Sequence, residues 1–348
     1  MQQPFEWEHV VRLTLYPGGK AIANVSKKLV SVESVGSNPG ALKCARYIPA
    51  CFRHFRPLVV ALHGSMQTAE DYNCGTGWST LADQHCFALL FPQQRRSNNA
   101  IRAFNWFEPD DNHRGGGEPL SIQEMIEHMV VDHSIDRQRI FITGLSSGGA
   151  MTSVMLATYP DVFAGGAIIA GLPYVGGSSL LQALHRMKGY DALSDTQLDR
   201  LVRGASGNID EWPKISVWHG SDDSTVDPSN ADAIVRLWQA LHCADDAPTR
   251  IDMVEGYPRR VWCDSGGGEL IEEFRIPNMG HGAPLRAGGD EGYGASGDYM
   301  LEVGICSTKH IVSFWGLSDR KKHTTKTILP AVSGATRKLL LWAASRKL

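Results

Sequence analysis

The chain has 348 residues, 43% of them hydrophobic and 20% charged, with 36 glycines and 17 prolines. That make-up belongs to a globular protein and excludes a fibre, a coiled coil or a disordered chain as the main architecture. No stretch approaches the ~18 consecutive apolar residues of a membrane span, and a formal charge of −3 gives no reason to expect a nucleic-acid partner.

Residues 1–38 have an irregular pattern that closes in the turn-rich VESVGSNPGA, and they read as an N-terminal extension. The first residues, MQQPFEWEHVVRLTLYPGG, lack an unbroken apolar run after a basic one, so the expectation is a soluble, cytoplasmic protein. From residue 39 short apolar runs alternate with amphipathic ones: ALKCARYIP, PLVVALHG, a helix near WSTLADQHC, FALLFP, the helix PLSIQEMIEHMVVDH, RIFITG, a helix from Ser147 to Tyr159, and GGAIIAG. This alternation predicts right-handed crossovers and a mainly parallel central sheet flanked by helices. Across about 172–212 the strand signal stops, and SSLLQALHRMKGYDALSDTQLDRLV predicts a small helical cap insertion lying over the strand ends. The sheet resumes at KISVWHG, followed by the helix DPSNADAIVRLWQALHC, strands around RIDMVEG and RRVWCDSGGGELIEEFRI, and the helix CSTKHIVSFWGL. Residues 318–348 form a basic C-terminal tail carrying +7, which leaves −10 on residues 1–317.

Seven cysteines, Cys44, Cys51, Cys74, Cys86, Cys243, Cys263 and Cys306, form an odd set with no CxxC pair. A zinc ribbon or a thioredoxin-type motif is therefore disfavoured, and the default is reduced, mostly buried thiols. Cys243–Cys263 is the one bridge weighed against that default.

The strongest chemical signal is Gly144-Leu145-Ser146-Ser147-Gly148, which follows the strand RIFIT and precedes a helix. Strand, G-x-S-x-G, helix is the context of a nucleophile elbow, and it makes Ser146 the nucleophile. A serine hydroxyl needs a histidine base oriented by a carboxylate. Asp223, just past the strand ISVWHG, is the acid expected; Asp222 and Asp227 compete, although Asp227 before Pro228 reads better as a helix cap. His281, in the glycine-flanked loop after FRIP, is the base. His85, His128, His133, His242 and His310 fall in helix-like runs and read as surface or packing residues, and His219 reads as structural. The oxyanion hole takes the Ser147 N–H and one from the loop Leu62 to Gln67, with Ser65 chosen and Met66 the alternative.

His63-Gly64 with Gln67, GTGWSTLADQHCFALLFP, Phe104-Asn105-Trp106-Phe107, Arg114-Gly115-Gly116-Gly117-Glu118, GLSSGGAMT, YPDVFAGGAIIAGLPY, VWHGSDDSTVDPSNAD, RRVWCD, MGHGAPL and CSTKHIVSFWGL together resemble the poly(3-hydroxybutyrate) depolymerase family of serine esterases, which is related to feruloyl and acetylxylan esterases. The resemblance covers roughly residues 39–317 and implies an α/β-hydrolase catalytic domain with the triad Ser146, Asp223 and His281. Family members often carry a cysteine at the position of Ser65 and another near Ala103; both are absent here, which fits a pair lost together. An extracellular setting, as in many relatives, is the alternative location that the resemblance implies. The tail lies outside the family pattern.

The function expected is hydrolysis of poly(3-hydroxybutyrate)-like polyesters or hydroxyalkanoate oligomers through an acyl-enzyme. A feruloyl or acetylxylan esterase is the enzymatic alternative, and a granule-surface binding protein on a hydrolase scaffold the non-enzymatic one. Trp78, Trp106, Phe107 and Trp218 are candidate substrate-binding rings, each weighed evenly against core packing. No cofactor is expected and no metal: Asp110, Asp111 and His113 read as a polar exposed loop. The segment ATRKLLLWAASRKL in the tail mixes basic and apolar residues, as an amphipathic helix on an anionic granule or membrane surface would, though a solvated tail folding back on the acidic body reads slightly better.

Overall fold

The structure, a computed structural model, describes residues 29–318 apart from Ser34, Asp191, Asn208, Asp210 and residues 289–291. The expected extension up to residue 28 and the basic tail from residue 319 onward lie outside the described residues. Ten strands form the main sheet: β1 Val30–Val32, β2 Lys43–Tyr47, β3 Leu58–Leu62, β4 Ala88–Gln93, β5 Ile140–Leu145, β6 Gly165–Ile169, β7 Lys214–Gly220, β8 Arg250–Val254, β9 Tyr257–Cys263 and β10 Glu269–Ile276. Their order is β1-β2-β4-β3-β5-β6-β7-β10-β9-β8. The six strands from β4 to β10 are parallel, while β1 and β2 on one side and β8 and β9 on the other pair antiparallel.

Alternating side chains divide the interior into two cores, because successive residues of a strand face opposite sides. Leu58, Val60 and Leu62 of β3 pack with Ile122 and Met125 of α3 (Gly117–His133), Met151 and Val154 of α4 (Ser147–Thr158) and Ile234 and Trp238 of α7 (Ser229–His242). Val59 and Ala61 face the other side, with Tyr72 of α1 (Ala69–Thr76), Trp78 and Leu81 of α2 (Trp78–His85) and Ile311 of α8 (Ser307–Phe314). Helices on both faces explain why the central strands read as unbroken apolar runs: all five residues of β3 are buried.

Several elements depart from expectation. β1 joins the sheet through Val30↔Arg46 and Val32↔Cys44, so the N-terminal extension does not reach residue 38. Three residues are too few to show a period-two pattern. Helix α1 was not expected either, since it lacks a strong apolar stripe; its sequence signal is a capping box in which Thr68 accepts the Asp71 N–H and Asp71 accepts the Thr68 N–H. β11 (Ala283–Leu285) and β12 (Met300–Glu302) form a small parallel pair beyond the main sheet. In the insertion, α5 (Leu180–Met187) and α6 (Asp195–Ser206) begin at Ser179 and Ser194 capping boxes. Leu198 and Val202 of α6 join the core that holds α4 and α7, and α5 is tied to the loop before α7 by Asp227 N–H to Met187 carbonyl, 2.7 Å.

The reduced-thiol expectation fails at one pair: Cys51 and Cys86 form a disulfide, with Cα atoms 5.5 Å apart. Cys51 lies in the turn after β2 and Cys86 caps the C-terminus of α2, so the fold juxtaposes residues that sequence spacing does not relate. Cys243 and Cys263 are free.

Candidate active site

Six buried residues of β5 deliver the chain to Ser146, whose φ of 56° and ψ of −118° make a sharp turn before α4. A non-glycine residue at positive φ is strained, and here the surroundings hold it: the Ser146 N–H donates to the Ile169 carbonyl at 3.0 Å. Both flanking glycines are obligatory. A Cβ on Gly144 would lie 2.2 Å from the Gly148 carbonyl oxygen, and one on Gly148 would lie 2.4 Å from that of Leu62.

The half-buried hydroxyl of Ser146 is 2.8 Å from His281 Nε2, and His281 Nδ1 is 2.7 Å from Asp223 Oδ2. Asp223 is fully buried just past β7, and its Oδ1 accepts the Thr225 and Val226 N–H groups, both at 2.9 Å. Burial alone would raise its pKa; the hydrogen bonds from His219 and His281 outweigh that and hold the carboxyl well below the usual carboxylate range. Asp222 is exposed and accepts from Ser221, while Asp227 accepts the Ser229 N–H at 2.9 Å in the first turn of α7. Neither competitor touches His281. Sequence reasoning missed the role of His219, whose Nε2 also reaches Asp223 Oδ2, at 3.3 Å. Its place four residues before Asp223 in VWHGSDD was the available signal. Tyr299 packs edge-on against the His281 ring, with centroids 5.9 Å apart.

The backbone N–H groups of Ser147, first in α4, and of Ser65, in the loop after β3, donate to no acceptor among the described residues. The loops meet where Ser65 Oγ donates to Ser147 Oγ at 3.2 Å. Met66, the alternative donor, has its N–H committed to the Ile101 carbonyl at 2.6 Å. The same loop is braced by Gln67, whose Oε1 accepts the Gly64 N–H at 2.9 Å, and by His63 Nε2, which accepts the Gln94 N–H at 3.1 Å. Behind it the buried carboxyl of Glu118 accepts from Gln94 Nε2 and from the Asn105 N–H; burial pushes its pKa up strongly.

The aromatic candidates are corrected by their burial. Trp78 and Trp218 are 0% exposed. Trp78 packs on Phe87 and Trp315, and Trp218 stacks on Phe274 at 3.9 Å. Trp218, the fifth residue of β7, points into a core rather than along the strand end. Trp106 and Phe107, 5% and 8% exposed, pack edge to face in the opposite core. Nearness in sequence to site loops does not bring these four rings to the surface. Asp110, Asp111 and His113 do not converge: Asp111 accepts the Glu118 N–H at 2.9 Å, and His113 Nδ1 lies 3.1 Å from the Arg114 carbonyl.

Comparison with known proteins gives the same direction. Residues 42–251 match the family described as esterase PHB depolymerase. Poly(3-hydroxyalkanoate) depolymerase C of Paucimonas lemoignei is 44% identical over 291 residues, covering 83% of this chain and 70% of that protein. An acetylxylan esterase of Coprinopsis cinerea is 30% identical over 267 residues, 74% of this chain and 70% of its own length. Feruloyl esterase B of Talaromyces stipitatus is 27% identical over 268 residues, 74% and 72% of the two chains. Among solved structures, the acetyl xylan esterase from Aspergillus awamori superposes with a TM-score of 0.69 at 22% identity, covering 83% of this chain and 99% of that one, and shares its α/β-hydrolase fold.

Proposed function

The chain belongs to the PHB depolymerase family of esterases and is a carboxylic ester hydrolase; we propose that it cleaves poly(3-hydroxybutyrate)-like polyesters or hydroxyalkanoate oligomers with Ser146 as nucleophile, His281 as base and Asp223 as orienting acid. The observation that carries the chemistry is the unbroken hydrogen-bond chain from Ser146 Oγ through the His281 ring to Asp223. His281 Nε2 takes the hydroxyl proton as Ser146 Oγ attacks the ester carbonyl carbon. Negative charge then develops on the carbonyl oxygen, where the Ser147 and Ser65 N–H groups can receive it. Collapse breaks the bond to the leaving alcohol, which His281 protonates, and a water activated by the same ring hydrolyses the acyl-enzyme. Asp223, anionic throughout, holds the ring with Nε2 toward Ser146 and stabilises the imidazolium.

The polyester reading is supported by the identity to the Paucimonas lemoignei protein, which exceeds that to the feruloyl and acetylxylan esterases. Side-by-side rates on hydroxybutyrate oligomers, amorphous granules and methyl ferulate test it. Hydroxybutyrate esters should be cleaved fastest, and Ser146→Ala should abolish the reaction; faster turnover of ferulate would overturn the assignment. For the basic segment 318–348 we propose an anionic granule or membrane surface as partner. Deleting it should abolish cosedimentation with anionic vesicles, and equal binding by both forms would remove the proposal.

A further inference from the structure

A concavity lies beside the loop that carries Ser65. It is open to solvent, about 320 Å³ in volume, and its wall includes Lys43, Arg95, Arg96 and Arg102 together with Gln93 and Gln94. No acidic side chain lines it, and none of the four cations has an ion-pair partner among the described residues. Four like charges around one cavity repel one another, and an anion bound between them offsets that repulsion through charge-assisted hydrogen bonds.

The place of the cavity in the fold says which anion. Gln93 ends β4 and pairs in register with Lys43 at the start of β2, so the site opens at the carboxyl edge of the sheet, where Ser146 also lies. β4 neighbours β3 and β3 neighbours β5, two spacings of about 4.8 Å, or ~10 Å across the sheet. Its wall is joined to the loop that carries Ser65: Arg102 Nη2 donates to the Met66 carbonyl, while Met66 N–H donates to Ile101. A chain of 3-hydroxy acids repeats every four backbone atoms, ~5 Å when extended, so about two units bridge the span. Such a chain ends in a free carboxylate, and that end belongs to the segment released as the alcohol. Ser146 Oγ bonds to the carbonyl carbon, the bond from that carbon to the chain oxygen breaks, and the released oxygen takes its proton from His281.

We propose that this pocket binds the terminal carboxylate of a hydroxyalkanoate chain, so that the enzyme favours acid-ended oligomers and releases short hydroxy acids from that end. The inference rests on the polyester reading above. It is tested with the free acid of the 3-hydroxybutyrate trimer and its methyl ester, at neutral pH and low salt. The ratio of kcat/KM, acid over ester, should be about 10, as for a charge-assisted contact present in one substrate only. It should fall toward one in Arg95→Gln/Arg96→Gln and at raised salt, and stay high in Arg95→Lys/Arg96→Lys, which keeps both charges. Cleavage of acid and ester with equal kcat/KM would overturn the pocket and leave the depolymerase reading standing. Cleavage of neither trimer by enzyme that still hydrolyses p-nitrophenyl butyrate would overturn that reading and this inference with it.

Discussion

His219 Nε2 lies 3.3 Å from Asp223 Oδ2 and 2.9 Å from the Val226 carbonyl oxygen. Both neighbours accept hydrogen bonds, so Nε2 is the donor to them, and the buried Nδ1 has no hydrogen-bond partner among the described residues. The carboxylate that orients His281 is thus itself held by a second imidazole. His219→Phe should lower kcat about 10-fold with little change in KM, because one donor to a buried carboxylate is lost while the substrate surface is untouched. His219→Gln, which can still donate, should recover most of that loss. Unchanged kcat in His219→Phe would show that Asp223 needs no second imidazole donor.

Asp223→Asn should reduce kcat by about 10³–10⁴, whereas Asp222→Asn should stay within about twofold of wild type. The pH dependence separates two effects. The folded Asp223 carboxyl is held below its unfolded value, so its contribution to stability is present above about pH 4 and is lost as pH falls through the folded pKa. Activity, by contrast, should show no inflection from Asp223 in the range where the enzyme is folded. Thermal melts and kcat/KM profiles of wild type and Asp223→Asn measure both; an acid stability limb of equal depth in the variant would contradict this account.

Ser65 should tolerate loss of its hydroxyl but not of its N–H. Ser65→Ala leaves the main-chain donor in place and should retain kcat within a few-fold, while Ser65→Pro removes it and should cost about 10²–10³. Circular dichroism establishes that both variants fold. A large loss in Ser65→Ala would move the role from the backbone to the side chain that donates to Ser147.

The Cys51–Cys86 bridge closes a separation of 35 residues, for which chain entropy predicts about 4 kcal/mol of stabilisation. Denaturant melts of Cys51→Ser/Cys86→Ser against wild type measure it. Thiol titration of unreduced, unfolded protein should find five of the seven cysteines and reductant should release the other two. Seven thiols without reductant, in protein taken from its native compartment, would restore the reduced, cytoplasmic expectation; five would indicate an oxidising one.

The parallel sheet, most of its helices and the elements carrying Ser146, Asp223 and His281 were legible in sequence, because each depends on local pattern. Apolar runs mark buried strands, Gly144 and Gly148 are required by a turn whose backbone admits no Cβ, and the acid and base follow successive strands whose ends share one edge. What the tertiary structure alone decided concerns groups distant in sequence. Trp78 and Trp218 have the same character as substrate-binding rings, and only packing on Trp315 and Phe274 makes them core. The Ile101 carbonyl occupies the Met66 N–H, which leaves Ser65 as the proposed oxyanion donor. Cys51 finds Cys86, and Lys43 meets Arg95, Arg96 and Arg102, through strand pairing and loop placement. A sequence records the period and the turn chemistry of each element, whereas which side chains meet is set by the burial of all elements together.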